Sequence, residues 1–219
     1  MTTLQTFLRT AHLDDLDAIT DLHTRARTAY YQAGGLSEPE LASSEARTRR
    51  REAWMRAIQT DAKTVVCAMA DGEMVGALAM GPPLDADVDA ETVGQLYQIH
   101  VRPSSWGQGV GSRLHAAFVQ FLRDASLTTG LLEAWEGNSR AQAFYVRHGW
   151  KPDGHHRPGP GNARYLRLCL ACASPWIRPF TDGFAMMRSA RLPLTHRAPR
   201  GSWRRRLGAA GTSPPSRVR

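Results

Sequence analysis

Three glycines at alternate positions, Gly107, Gly109 and Gly111, interrupt the stretch RPSSWGQGVGSRL from Arg102 to Leu114. An ordered glycine loses more backbone entropy than any other residue, roughly 0.5–1 kcal/mol relative to alanine inside a helix. Their density implies that something approaches the main chain closely. A strand, a glycine-rich turn and a helix, in that order, make an anion site. The first N–H groups of the helix lack intrahelical partners, the macrodipole adds positive potential, and glycine lets a phosphate reach the backbone. Two familiar phosphate loops are excluded. A Walker loop needs a lysine after its last glycine, and neither Gly109 nor Gly111 precedes one. A dinucleotide-binding turn needs a third glycine, which falls on Ser112 counted from Gly107 and on Leu114 counted from Gly109. A tight turn without a ligand is the plain alternative, but one turn does not need three alternating glycines.

The elements around this turn follow from apolar spacing. A short strand is expected near Thr6–Arg9, and Leu13, Leu16, Ile19 and Leu22 then recur at helical spacing to about Tyr31, where Gly34 and Gly35 break the pattern. Ser37 with Glu40 fits a capping box for a second helix that ends near Ile58, with Trp54 and Ile58 on one face. TVVCAMADGEMVGALAM predicts two strands joined at Asp71-Gly72, a dipeptide favoured in two-residue hairpin turns. PPLDADVDAE is a loop, and TVGQLYQIHV is a third long strand leading into the glycines. A helix from about Val110 to Ala125 turns Leu114, Phe118, Phe121 and Leu122 inward, TTGLLEAW is a strand, and NSRAQAFYVRHGW is a helix closed by Gly149. KPDGHH and ARYLRLCL form a final pair around a loop containing RPGPGN. The order β-α-α-β-β-β-α-β-α-β-β predicts an α/β (α+β) layer structure with a mostly antiparallel mixed sheet.

Composition narrows the class. The chain has 219 residues with 42% hydrophobic and 22% charged, enough for one domain plus a tail. Residues 1–170 are expected to fold as the domain. The net charge of +8 is misleading, because residues 171–219 hold ten arginines and one acid, Asp182, while residues 1–170 are close to neutral. With scattered prolines and no sustained period, 171–219 reads as a basic, disordered tail. The body itself offers no broad cationic face, so nucleic acid is not the expected partner. No secretory leader or membrane-length apolar run is visible, and three sparse cysteines suit a reducing cytoplasm.

At this point the chain resembles the GCN5-related N-acetyltransferase (GNAT) superfamily. Its core motif, [RQ]-x-x-G-x-[GA] after a strand ending in V-x-P, is matched by Val101, Pro103, Gly109 and Gly111, with Trp106 where Arg or Gln is usual. That replacement is expected to remove a side-chain donor and leave the backbone cradle. The downstream pattern N-x-x-A-x-x-F-Y-x-x-x-G-F/W is matched by Asn138, Ala141, Phe144, Tyr145, Gly149 and Trp150. The resemblance covers about residues 5–170. It implies transfer of an acetyl group from acetyl-CoA, as co-substrate, directly to a primary amine of a small molecule or peptide. The pyrophosphate would lie on the N–H groups of Gly107 to Ser112, with Gln108 adding a side-chain donor. The pantetheine arm would pair with the backbone at Ile99 and Val101, and Asn138 would bond it, while also serving as a helix cap. Tyr145 would act as general acid toward the leaving thiolate; its bland alternative is a core aromatic beside Phe144. Dimers are common in the family, which leaves a homodimer open.

The general base is less legible. Where histone-type members carry a glutamate, this chain has Gln95, which cannot accept a proton but can orient a water. His100, Glu133 and Glu136 are the other candidates, and loss of the proton through waters is a further route. By family analogy His155 and His156, in the loop between the last strands, would border the acceptor cleft. Arg102, close to the glycines, reads as solvated. Cys169 and Cys172 make half a zinc pattern with no second half at ligand spacing, so no metal is expected. The rival class is a catalytically quiet acyl-CoA-binding or nucleic-acid-associated protein using the arginines at 47–51 and 200–206.

Overall fold

A computed structural model describes residues 5–36 and 44–172, all within one compact unit spanning Met1–Arg178. The capping box at Ser37 and Glu40, and the tail beyond residue 172, lie outside the described residues. Among the described residues, seven strands and four α-helices follow one another in the expected order: β1 Phe7–Thr10, α1 Leu16–Ala33, α2 Ser44–Gln59, β2 Thr64–Ala70, β3 Glu73–Gly81, β4 Val93–Val101, α3 Val110–Asp124, β5 Thr129–Trp135, α4 Ser139–Arg147, β6 Lys151–Pro158 and β7 Arg164–Ala171. The sheet order is β1-β2-β3-β4-β5-β7-β6, so β7 inserts between β5 and β6. Among the described residues β4 and β5 alone pair in parallel, and the other strand pairs are antiparallel. At the β2–β3 hairpin both Asp71 (φ 50°) and Gly72 (φ 78°) take positive φ, as a type I′ turn requires.

The sheet buries both faces. Along α3, Val110, Leu114, Phe118 and Leu122 recur every fourth residue and are almost completely buried against one face, with Leu132, Tyr145 and Trp150. Burial of each such side chain stabilises by about 1.5–3 kcal/mol. Leu16, Ile19 and Leu22 of α1 and Trp54 of α2 cover the other face over β2 and β3. Arg47 and Arg51 of α2 pair with Asp21 and Asp17 of α1, so the arginine run at 47–51 ties two helices together.

Two irregularities shape the site. On β4 the register with β3 jumps from Ala79↔Gln98 to Met80↔Leu96, leaving Tyr97 as an extra residue in a β-bulge. The bulged strand bends, and β4 keeps β5 as a partner only from Val93 to Leu96. On β6 a second register shift falls between Pro152 and His156, with Gly154 at φ 91°. Pairing then resumes through Pro158, so His155 and His156 are strand residues and not loop residues. Both are exposed, and neither lines the cavity described below. The expectation that they border the acceptor cleft is corrected. The long-range pairing of Arg157 with Tyr165, which adjacent residues do not reveal, extends the strand past them.

Candidate active site

The three glycines have different jobs. Gly107 (φ 79°) and Gly109 (φ 86°), the latter capping α3, hold left-handed backbone that other residues adopt only under strain. Gly111 lies in the first turn of α3, where an added Cβ would meet the Phe144 ring of α4 at 3.4 Å. Two glycines therefore shape the turn, and the third lies at ordinary packing distance from α4. The turn presents the start of a fifteen-residue helix to a cavity of about 590 Å³, lined by Gly107, Gly109, Gly111 and Ser112 at this end.

Backbone alternation defines the adjoining wall. The N–H of Arg102 donates to the carbonyl of Val75 on β3 at 2.9 Å. The backbone groups of Val101 and Ile99, at alternate positions, therefore face the other way, along the edge that β5 has left. That is the edge an extended amide-bearing arm could join. Trp106 modifies it, because its indole N–H donates to the carbonyl of Val101 at 2.9 Å. The indole N–H is spent on β4, so residue 106 offers no free side-chain donor to the cavity. Gln108 is corrected, since its amide donates to the carbonyl of Ser104 at 2.9 Å and it does not line the cavity. Arg102 bonds Glu73 and the Met74 carbonyl, away from the glycines.

Asn138 is the helix cap expected of it. Its side chain accepts from the N–H of Ala141 at 3.0 Å, capping α4, and the residue lines the cavity. Tyr145, on the same helix, is 7% exposed and also lines the cavity. Burial raises its phenol above the ordinary value, so the hydroxyl keeps its proton through the working pH range. A group held in that state can donate to a developing negative charge.

The base candidates separate clearly. Gln95 lines the cavity, but its side-chain oxygen accepts from the N–H of Leu84 at 2.7 Å, fixing the loop before β4. His100 is buried, stacked on His23 with centroids 4.0 Å apart and bonded through Nε2 to Gln98 at 2.7 Å. Burial, aided by the charges of Arg27 and Arg50, holds it down to about 3, so it takes up no proton near neutral pH. Glu136 accepts from Arg164 and lies outside the cavity lining. Glu133 is the carboxylate among the described lining residues, with its Oε2 accepting from Arg157 Nε at 2.6 Å.

Several lining residues escape sequence reasoning. Arg27 and Tyr30 come from α1, Trp135 from β5, and Arg157 and Tyr165 from β6 and β7. Arg157 lies over the Tyr165 ring at 4.1 Å from the centroid. Trp135 is seated between Gly34 and Gly137, where an added Cβ would come within 2.5 Å and 2.4 Å of its ring. The Trp-Glu-Gly-Asn run held that signal, because a bulky ring two residues from glycine invites close packing. Among the described residues no cluster of three metal-ligating side chains occurs, and no helix is long and apolar enough to cross a membrane.

A left-handed glycine turn, a splayed β4–β5 edge and a buried tyrosine on the next helix converge on one cavity. The family model described as the acetyltransferase (GNAT) family matches residues 16–150. The chain belongs to the GNAT family. It is 30% identical over 129 residues to a mycothiol acetyltransferase of Sanguibacter keddieii and 29% identical over 140 residues to one of Cellulomonas flavigena. These matches cover 59% and 62% of this chain but only 38% and 37% of those relatives, so the GNAT chain here spans well under half their length. The PaiA N-acetyltransferase of Thermoplasma acidophilum, solved in complex with coenzyme A, superposes with a TM-score of 0.61 at 16% identity, covering 75% of this chain and 98% of that one. The ribosomal-protein-S18-alanine N-acetyltransferase of Escherichia coli gives 0.56 at 17% identity, covering 80% and 99%. At such identities the likeness establishes the GNAT fold.

Proposed function

We propose that this GNAT chain transfers the acetyl group of acetyl-CoA to a primary amine, by direct attack within a ternary complex. The observation that carries the proposal is the continuity of one binding track: the unpaired edge of β4 at Ile99 and Val101 runs into the left-handed turn at Gly107 and Gly109. An added Cβ at Gly107 would meet nothing within 4 Å, which leaves the turn open to a ligand. The cofactor supplies an activated acetyl thioester. Amides from Gly107 to Ser112 hold its diphosphate, and Asn138 with the Ile99–Val101 edge holds its pantetheine arm. The N–H groups of Ile99 and Val101 stand ready to stabilise negative charge on the acetyl oxygen. Glu133 takes the proton from the amine, directly or through a water, and the Tyr145 hydroxyl donates to the departing sulfur. The acceptor amine belongs to a small molecule or peptide, and reaction in the cytoplasm accords with the reduced cysteines. Residues 1–170 constitute the transferase domain, with 171–219 as an appendage.

The deciding experiment is calorimetric titration of the full chain with acetyl-CoA, beside Gly109→Trp. Saturable binding that disappears in a folded variant supports the track and licenses a screen of amine acceptors. A folded wild-type chain that binds no acetyl-CoA refutes the transferase reading.

A further inference from the structure

Trp106 and Arg140 form a pair at the diphosphate end of the cavity. Trp106 follows the short 3-10 turn Pro103–Ser105, and its indole is pinned by the 2.9 Å bond from its N–H to the carbonyl of Val101. The Arg140 guanidinium, from the first turn of α4, lies 4.7 Å from the centre of that ring. Both residues line the cavity beside Gly107, Gly109 and Gly111. Among the described residues no carboxylate pairs with Arg140, which lies against the indole face. A cation held on an aromatic surface retains its charge and its donors while losing few rotamers when a ligand arrives. The neighbouring glycine amides already favour an anion.

We infer that Trp106 is a platform which aims Arg140 at the diphosphate of the bound acyl-CoA, so that Arg140 supplies the positive charge that a basic residue at 106 would otherwise bring. The inference rests on the acyl-CoA reading given above. It explains why an aromatic can occupy position 106 without emptying the site of charge. It also assigns the indole N–H a purpose. The Val101–Trp106 bond takes one acceptor from the open edge of β4, and in exchange fixes the ring that carries the guanidinium.

The test is calorimetric, on the full chain, with coenzyme A and 3′-dephospho-coenzyme A as probes. Arg140→Ala should weaken both ligands alike, by about tenfold to a hundredfold, the range of a charge-assisted hydrogen bond to a phosphate. The double variant Trp106→Arg/Arg140→Ala, which returns the charge to position 106, should recover most of the loss. An unchanged thermal midpoint in Arg140→Ala assigns the loss to binding. Arg147 stands two turns along α4 and also lines the cavity. Equal losses from Arg140→Ala and Arg147→Ala would reduce the effect to a general field and overturn the platform. Loss confined to coenzyme A would place Arg140 on the 3′-phosphate and overturn the diphosphate assignment. Wild-type affinity in Arg140→Ala, or no recovery in the double variant, would overturn it outright. A wild-type chain that binds neither probe is a separate result, which refutes the acyl-CoA reading and removes this inference with it.

Discussion

Acidification should unfold this protein through its buried histidines before its carboxylates titrate. His100 is buried against His23, and burial holds it down to about 3 from an ordinary 6.5. His115 accepts from the Trp150 indole at 2.8 Å and is held to about 4, by burial and the adjacent His148. His23, which accepts from Trp54 at 3.0 Å, is lowered well below its usual value, mainly by burial. In the unfolded chain each recovers a pKa near 6.5 and binds a proton that the folded state refuses. Folding stability therefore stands in full above that value and falls as the pH drops below it. At pH 5 the loss from His100 is about 2 kcal/mol relative to pH 8. His115, held less far down, adds about 1–2 kcal/mol. Together these are a large part of the 5–15 kcal/mol typical of a domain. The four described carboxylates with lowered values, Asp15, Asp17, Asp89 and Asp153, contribute only below their ordinary range near 3.8, so the windows are separate. Urea unfolding of the full chain at pH 8, 6.5 and 5, followed by tryptophan fluorescence, measures the effect as a falling midpoint at constant slope. His100→Gln should lose stability at pH 8 yet flatten the dependence between pH 8 and 5 by about 2 kcal/mol. Equal stability at pH 8 and pH 5, or a variant as pH-sensitive as the wild type, would refute the reasoning.

Three other outcomes are expected. Tyr145→Phe should lower kcat by about 10²–10⁴ while leaving the calorimetric affinity for acetyl-CoA within a factor of about two, because only the donor hydroxyl is lost; an unchanged kcat would return Tyr145 to a packing role. Glu133→Gln should lose a similar factor near neutral pH and regain activity toward high pH, where the acceptor amine sheds its own proton; a uniform loss across the pH profile would remove Glu133 as the base. Gly137→Ala, whose Cβ would sit 2.4 Å from the Trp135 ring, should destabilise by about 1–3 kcal/mol in urea unfolding and lower the Tm, and a neutral result would show that Trp135 can move aside.

The element order and several site residues were legible in sequence because they depend on near neighbours. Asp71-Gly72 dictates its hairpin, Asn138 caps the helix that carries Tyr145 seven residues on, and Gly107 and Gly109 mark a turn that other residues cannot make without strain. Local spacing also placed Ile99 and Val101 on one edge of a strand. It did not reveal the partners that residues choose from their immediate surroundings by geometry alone. Gln108 turned to the Ser104 carbonyl, Gln95 to Leu84, and Trp106 to Val101, each satisfying a polar group that spacing does not reveal.

Sequence by itself determined the alternation of strands and helices, the left-handed glycine turn and the positions of Asn138 and Tyr145, since these follow from backbone conformations encoded within a few residues. Tertiary structure decided the rest. The Tyr97 bulge peels β4 from β5, β7 inserts between β5 and β6, and α1 brings Arg27 and Tyr30 to the cavity. The same packing enclosed His23 against His100 and left Glu133 as the described carboxylate facing the cavity. These arrangements join residues tens of positions apart, and what selects them is the closing of a sheet between two buried faces, where pairing and burial are satisfied together and not one element at a time.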